Sequence, residues 1–142
     1  MLTSFTRWLQ RYFFRRSYIG SDISRYLTSS NHFSREKALV KPNAFMPNVN
    51  SVTGKPETSV YQVSGASEDE IWAIGKGVVA LSSRTLYGRA MLMTEDIERA
   101  GLSLFADNNP PRHANIVGWP DAPSEQKLFA TRLAGAAKLI LL

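Results

Sequence analysis

From Glu57 to the C-terminus the apolar residues change their spacing every few positions, and this switching constrains the fold more than any other feature of the sequence. β-rich runs alternate with short stretches that carry helix caps, the pattern of an α+β fold. Thr58 to Val63 reads as a strand. Ser67 followed by Glu70 makes a capping box that opens a short helix through Ile71, Trp72 and Ile74, with Gly75 as its stop. Val78 to Leu81 and Leu86 to Leu92 read as strands. Thr94 caps another short helix, with Glu95 and Asp96 in its first turn and Gly101 after its end. Leu102 to Ala106 reads as a strand leading into the turn Asp107-Asn108-Asn109-Pro110-Pro111, and Ala114 to Val117 as a strand ending at Gly118-Trp119-Pro120. Ser124 caps a final helix whose stripe is Phe129, Leu133, Ala136, Ala137 and Ile140. The expectation is a small mixed sheet with short helices and a C-terminal packing helix. Nothing in the sequence determines the order or direction of the strands.

The chain divides by character into residues 1–56 and a compact body over 57–142. At the N-terminus, Phe5, Trp8, Leu9, Tyr12 and Phe13 fall on one helical stripe, while Arg7, Arg11 and Arg15 recur on another face. Such a basic amphipathic arm can pack on its own body, self-associate, fill a partner's groove or lie on an anionic membrane. Up to Ser21 it also has the Arg-rich, acid-free character of an organellar presequence. Residues 17–56 read as a long ordered loop around the core. Asp22 to Leu27 are able to form a short helix there, Phe45 and Met46 serve as apolar anchors, and mobility centres on 48–55.

Charge follows the same division. Residues 1–56 hold nine Lys/Arg and two acids, a net of +7; residues 57–142 hold eight and ten, a net of −2. A positive field on the front half points to a polyanion, nucleic acid foremost, with Arg7, Arg11, Arg15, Arg16, Lys41, Arg84, Arg89 and Arg112 as the contacting set. The aromatics Trp8, Tyr12, Phe13, Phe14, Tyr18 and Tyr26 add stacking surfaces for unpaired bases. With no cysteine in the chain, disulfides, thiolate metal sites and cysteine nucleophiles are excluded. No cofactor or metal is expected from the two histidines, His32 and His113. No apolar run approaches the roughly 20 residues of a membrane span. A cytoplasmic location is the expectation, with a protein partner or self-association through the N-terminal helix.

Only one segment invites catalysis. Pro110-Pro111 stiffen the approach to Arg112-His113-Ala114-Asn115, and strand alternation sets His113 and Asn115 on one face with Arg112 on the other. His113 is the candidate catalytic residue, for proton transfer in nucleotide or phosphate-ester chemistry with arginines from elsewhere. Arg84 and Arg89 flank Tyr87-Gly88, where a phosphate can approach the backbone closely, and Lys41 reaches the same region if its loop folds over the sheet. Phosphate-loop, dinucleotide, HExxH, calcium-loop and GxSxG motifs are absent. No spacing in the sequence supports a Ser–His–acid site. A binding module therefore ranks ahead of an enzyme, and the sequence alone does not identify an activity.

Overall fold

The computed structural model describes residues 22–142. The N-terminal arm, with Arg7, Arg11, Arg15 and Arg16, lies outside the described residues. The body is α+β, with a sheet, short helices and a longer C-terminal helix, as the switching periodicity implies. Among the described residues nine strands form: β1 Asp22–Leu27, β2 Phe33–Ser34, β3 Leu39–Val40, β4 Asn48–Val49, β5 Pro56–Gln62, β6 Gly88–Met93, β7 Ser103–Ala106, β8 His113–Val117 and β9 Lys138–Leu141. The helices are α1 Glu68–Val79, α2 Thr94–Arg99 and α3 Pro123–Ala136, with single 3-10 turns at Ser30–His32 and Pro42–Ala44. The main sheet runs β7-β8-β5-β1-β6-β9, with β4 paired to β5, while β2 and β3 form a separate hairpin. Every described pairing is antiparallel, which fixes the strand direction that the sequence left open.

Several elements differ from the sequence reading, each for a local reason. Asp22–Leu27 is not a helix: it is a strand between β5 and β6, with Ile23 and Leu27 fully buried. Its alternating side chains suit both faces of a covered sheet, which overrides weak helix propensity. Residues 22–49 thus supply four strands where a wrapping loop was expected, and the core is built from both sides of residue 57. Phe45 is an anchor as expected, fully buried, and its carbonyl accepts a bond from Thr58 Oγ1 at 2.8 Å.

Ser67 caps the helix, its Oγ accepting the Glu70 N–H at 3.2 Å, but the Glu70 carboxylate accepts from the Ser67 hydroxyl at 3.3 Å in place of the reciprocal backbone bond of a full capping box, and the helix continues through Gly75 to Val79. Val78 to Leu81 is therefore helix end and turn, not strand. Gly75 permits close approach instead of ending the helix: a Cβ there would lie 2.7 Å from the Tyr26 ring. At α2 the closing contact comes from Asp96, whose carboxylate accepts from the Met93 N–H at 2.8 Å, and Gly101 takes the left-handed φ of +92° that follows the helix. Pro123 opens α3 after Ala122, so Ser124 is not its cap. The helix stops at Ala136, and Ile140 belongs to β9, which pairs with β6 along the sheet edge.

The two sheet faces are covered unequally. On one, Ile23, Leu27, Val60, Ala90, Leu92 and Ile116 meet α2, α3 and Phe45 in the main core, where Leu133 is fully buried. On the other, α1 lays Ile71 over Tyr26 and Val63, with Tyr61, Trp72 and Val78 packed around them. Beyond α1 that face carries Ser59, His113 and Asn115 from β5 and β8, with the exposed Phe105 of β7 opposite Asn115.

Candidate functional site

Register assembles the site on that second face. Ser59 of β5 stands opposite Asn115 of β8, and Tyr61 opposite His113. Paired residues share a face, as do residues two apart on one strand, so Ser59, Tyr61, His113 and Asn115 form one polar patch. The expected sharing of a face by His113 and Asn115 is observed. Asp107 joins them from the turn between β7 and β8.

His113 Nε2 lies 2.6 Å from Ser59 Oγ, and His113 Nδ1 lies 2.8 Å from Asp107 Oδ1. The other Asp107 oxygen accepts from Asn115 Nδ2 at 3.3 Å. Burial works to raise the Asp107 pKa, but the hydrogen bond from His113, the Asn109 backbone N–H and the His113 charge outweigh it and hold the carboxyl below its ordinary value. An ionised Asp107 requires Nδ1 to carry a proton, so in neutral His113 Nε2 is the acceptor for the Ser59 hydroxyl. Tyr61 fixes the imidazole from the side, ring edge to ring face, with centroids 5.2 Å apart. The Tyr61 phenol is pushed above its usual pKa by burial and then by the Asp107 charge.

Ser59 is exposed, and the sheet opens beside it. β1 and β5 pair only at Ile23↔Gln62 and Ser24↔Tyr61. Past that point Arg25 fills the gap, donating from Nη1 to the Ser59 carbonyl at 2.9 Å and from Nε to the Ala44 carbonyl at 2.7 Å. Two clefts meet at Arg25 and Ser59. One, of about 30 Å³, is lined by Arg25, Tyr26, Thr28, Ser59, Tyr61, Val78 and Arg84. The other, of about 180 Å³, includes Asn48, Asn50, Glu57 and Asn115 in its walls.

The arginines singled out in the sequence are not gathered into one basic face. Arg89 is 3% exposed and grips Asp22 through two bonds of 2.9 and 3.0 Å, so it is an internal ion pair. Arg112 takes a φ of +72°, which breaks the alternation expected of it, and donates to the Gln62 and Ser64 carbonyls. Lys41 is exposed at the start of the 3-10 turn Pro42–Ala44, and its side chain has no described contact with the cleft. Arg84 is exposed on the rim of the smaller cleft, where Nη1 reaches Thr28 Oγ1 at 3.4 Å. Three site residues escaped the sequence reading: Ser59, Asp107 and Arg25. Only the six-residue spacing of Asp107 and His113 across a tight turn was a local signal. The approach of Ser59, 54 positions away, depends on the β5–β8 register.

Among the described residues no cluster of three or more His, Asp or Glu has metal-holding geometry. No known family matches the chain, and no curated protein or solved structure is significantly similar to it.

Proposed function

We propose that the protein is a hydrolase acting on ester bonds, with Ser59 as nucleophile, His113 as general base and then acid, and Asp107 as the group that orients His113. The observation that carries this reading is the continuous chain Ser59 Oγ–His113 Nε2–His113 Nδ1–Asp107 Oδ1, with contacts of 2.6 and 2.8 Å, opening onto clefts that Ser59 lines. A serine hydroxyl is a weak nucleophile until a neighbouring base takes its proton, and this arrangement supplies one in the correct tautomer. As Oγ bonds to the electrophilic centre its proton passes to Nε2. His113 then gives that proton to the departing oxygen, and water releases the second product by the same steps in reverse order.

The test is turnover by the full chain of a panel of chromogenic carboxylate and phosphate esters, with Ser59→Ala and His113→Gln in parallel. Each substitution should lower kcat by about a thousandfold or more, because the two groups act as a unit. A wild-type chain without turnover, or a Ser59→Ala chain that matches it, overturns the assignment.

A second reading concerns residues 1–56 and is favoured by their net charge of +7 against −2 for the remainder. This half contacts a polyanion, nucleic acid foremost, as part of a larger complex. Affinity from counterion release falls steeply with salt and shows little base preference. Fluorescence anisotropy with single-stranded and duplex DNA and RNA at two salt concentrations tests it, with Arg7, Arg11, Arg15 and Arg16 replaced together as the control. Absence of binding at low salt leaves the arm as a docking helix for protein or membrane surface.

A further inference from the structure

We infer that the cleft between β1, β5 and the end of α1 is a phosphate-binding subsite, formed by Arg25 and Arg84 with the Thr28, Ser59 and Tyr61 hydroxyls around it. As a substrate subsite it rests on the assignment of Ser59 as nucleophile, and it then makes phosphate monoesters the substrate class. As an anion site it stands on separate observations.

The first is an excess of unmatched positive charge. Arg25 and Arg84 line the same cleft, whose other walls are Tyr26, Thr28, Ser59, Tyr61 and Val78, with no carboxylate among them. The three ion pairs among the described residues involve Arg89, Arg99 and His113, and neither cleft arginine. Nor can residues 1–21 supply a missing acid, because they contain no Asp or Glu. A half-buried guanidinium such as that of Arg25 normally acquires an anionic partner, and among the described residues none is built in.

The two cations sense each other. Burial, and then the charge of Arg84, lowers the Arg25 pKa to about 10. His32 reports the same field: burial, Arg25 and Arg84 together lower it to about 4. Its Nδ1 accepts the Thr28 N–H at 3.2 Å, which suits the neutral ring. An anion entering the cleft relieves the repulsion between the arginines.

The two arginines are held differently. Arg25 is anchored through Nε and Nη1 to the Ala44 and Ser59 carbonyls, a fixed orientation that costs no further ordering when a ligand arrives. Arg84 is held only by bonds of 3.3 to 3.5 Å to Ser82, Thr28 and the Val78 carbonyl, which a phosphate oxygen readily replaces. The cleft volume of about 30 Å³ exceeds the roughly 10–15 Å³ that one water needs, which suits a single terminal group and not a whole nucleotide. The remainder of the substrate would extend past Ser59 into the neighbouring cleft of about 180 Å³. With the phosphorus beside Ser59, the new bond is Ser59 Oγ to phosphorus and the broken bond is phosphorus to the alcohol oxygen. That alcohol leaves with the proton from His113, and water hydrolyses the phosphoserine to free phosphate.

Isothermal titration of the full chain with inorganic phosphate tests the subsite, using the wild type, Arg84→Gln and Lys127→Gln. Arg84 and Lys127 are both exposed, so these variants should fold, whereas Arg25 also holds the backbone. The expected result is saturable binding that Arg84→Gln weakens about tenfold or more, the loss of one charge-assisted contact. The distant Lys127→Gln should stay within about twofold of wild type on the same scale. No saturable binding at millimolar phosphate, or equal weakening by Arg84→Gln and Lys127→Gln, overturns the subsite. Phosphate binding without ester turnover leaves the subsite standing and removes the hydrolase, while turnover of neutral carboxylate esters without phosphate binding does the reverse.

Discussion

Replacing Asp22 by alanine should cost far more stability than removal of an ordinary surface charge. Asp22 takes both terminal nitrogens of Arg89, at 2.9 and 3.0 Å, while Arg89 is 3% exposed and its Nε has no partner. Without the carboxylate a buried guanidinium keeps its charge in a site that water barely reaches. Breaking a buried pair from one side costs about 3–5 kcal/mol. The Asp22 side chain is 23% exposed, so some water can replace it and the low end, about 3 kcal/mol, applies. With a urea slope of about 2 kcal/mol per molar, the midpoint should fall by about 1.5 M. Urea unfolding followed by circular dichroism reads this directly. Adding Arg89→Met to Asp22→Ala should recover part of the loss, because the stranded charge is then gone. A loss below about 1 kcal/mol, the range of exposed pairs, would refute the view that this bond ties β1 to β6 from inside.

Three further outcomes follow from named contacts. Within α1, Gly75→Ala should destabilise by about 1 kcal/mol or more, since the added Cβ meets the Tyr26 ring at 2.7 Å. Gly77→Ala, with nothing within 4 Å, should instead stabilise by about 0.5–1 kcal/mol; urea midpoints of the two compared with wild type decide the matter. His32, held near 4 when folded against about 6.5 unfolded, binds fewer protons in the native state between these values, so stability should fall as pH drops through that window. Allowing for its partial exposure, His32→Asn should remove about 1–2 kcal/mol of the change between pH 7 and 4.5, read from urea midpoints at each pH, and an unchanged slope would count against the assignment. Asp107→Asn should lower ester turnover by about 10²–10⁴-fold while leaving phosphate affinity unchanged, because it disturbs the tautomer of His113 and not the arginines.

Legibility followed the range of the interactions. The Ser67 cap, the turn at Asp107–Pro111 and the strands over β5, β6, β7 and β8 rest on neighbouring residues, and each could be read locally. Asp22–Leu27 could not: its six residues carry no strong period, and only burial between β5 and β6 makes them a strand. Gly75 was misread because the same lack of a Cβ that ends helices also allows a helix to cross an aromatic ring. At the site, His113 and Asn115 were legible from alternation and the stiff proline approach. Ser59 was not, since a serine in an alternating strand looks like any solvent-facing residue until β8 is laid beside it. Arg89 and Arg112 looked like ligand-binding groups for the converse reason: sequence gives a charge but not the Asp22 carboxylate or the backbone carbonyls that occupy it.

The most direct measurement on Ser59 is covalent labelling of the full chain by a fluorophosphonate, located by peptide mass spectrometry. Such reagents modify serines whose hydroxyl proton is drawn off by a neighbouring base. The expected result is a single adduct at Ser59 in the wild type, lost in His113→Gln and slowed in Asp107→Asn. Labelling spread over other serines, or labelling of Ser59 that His113→Gln leaves unchanged, would contradict the assignment of these three residues as a catalytic unit.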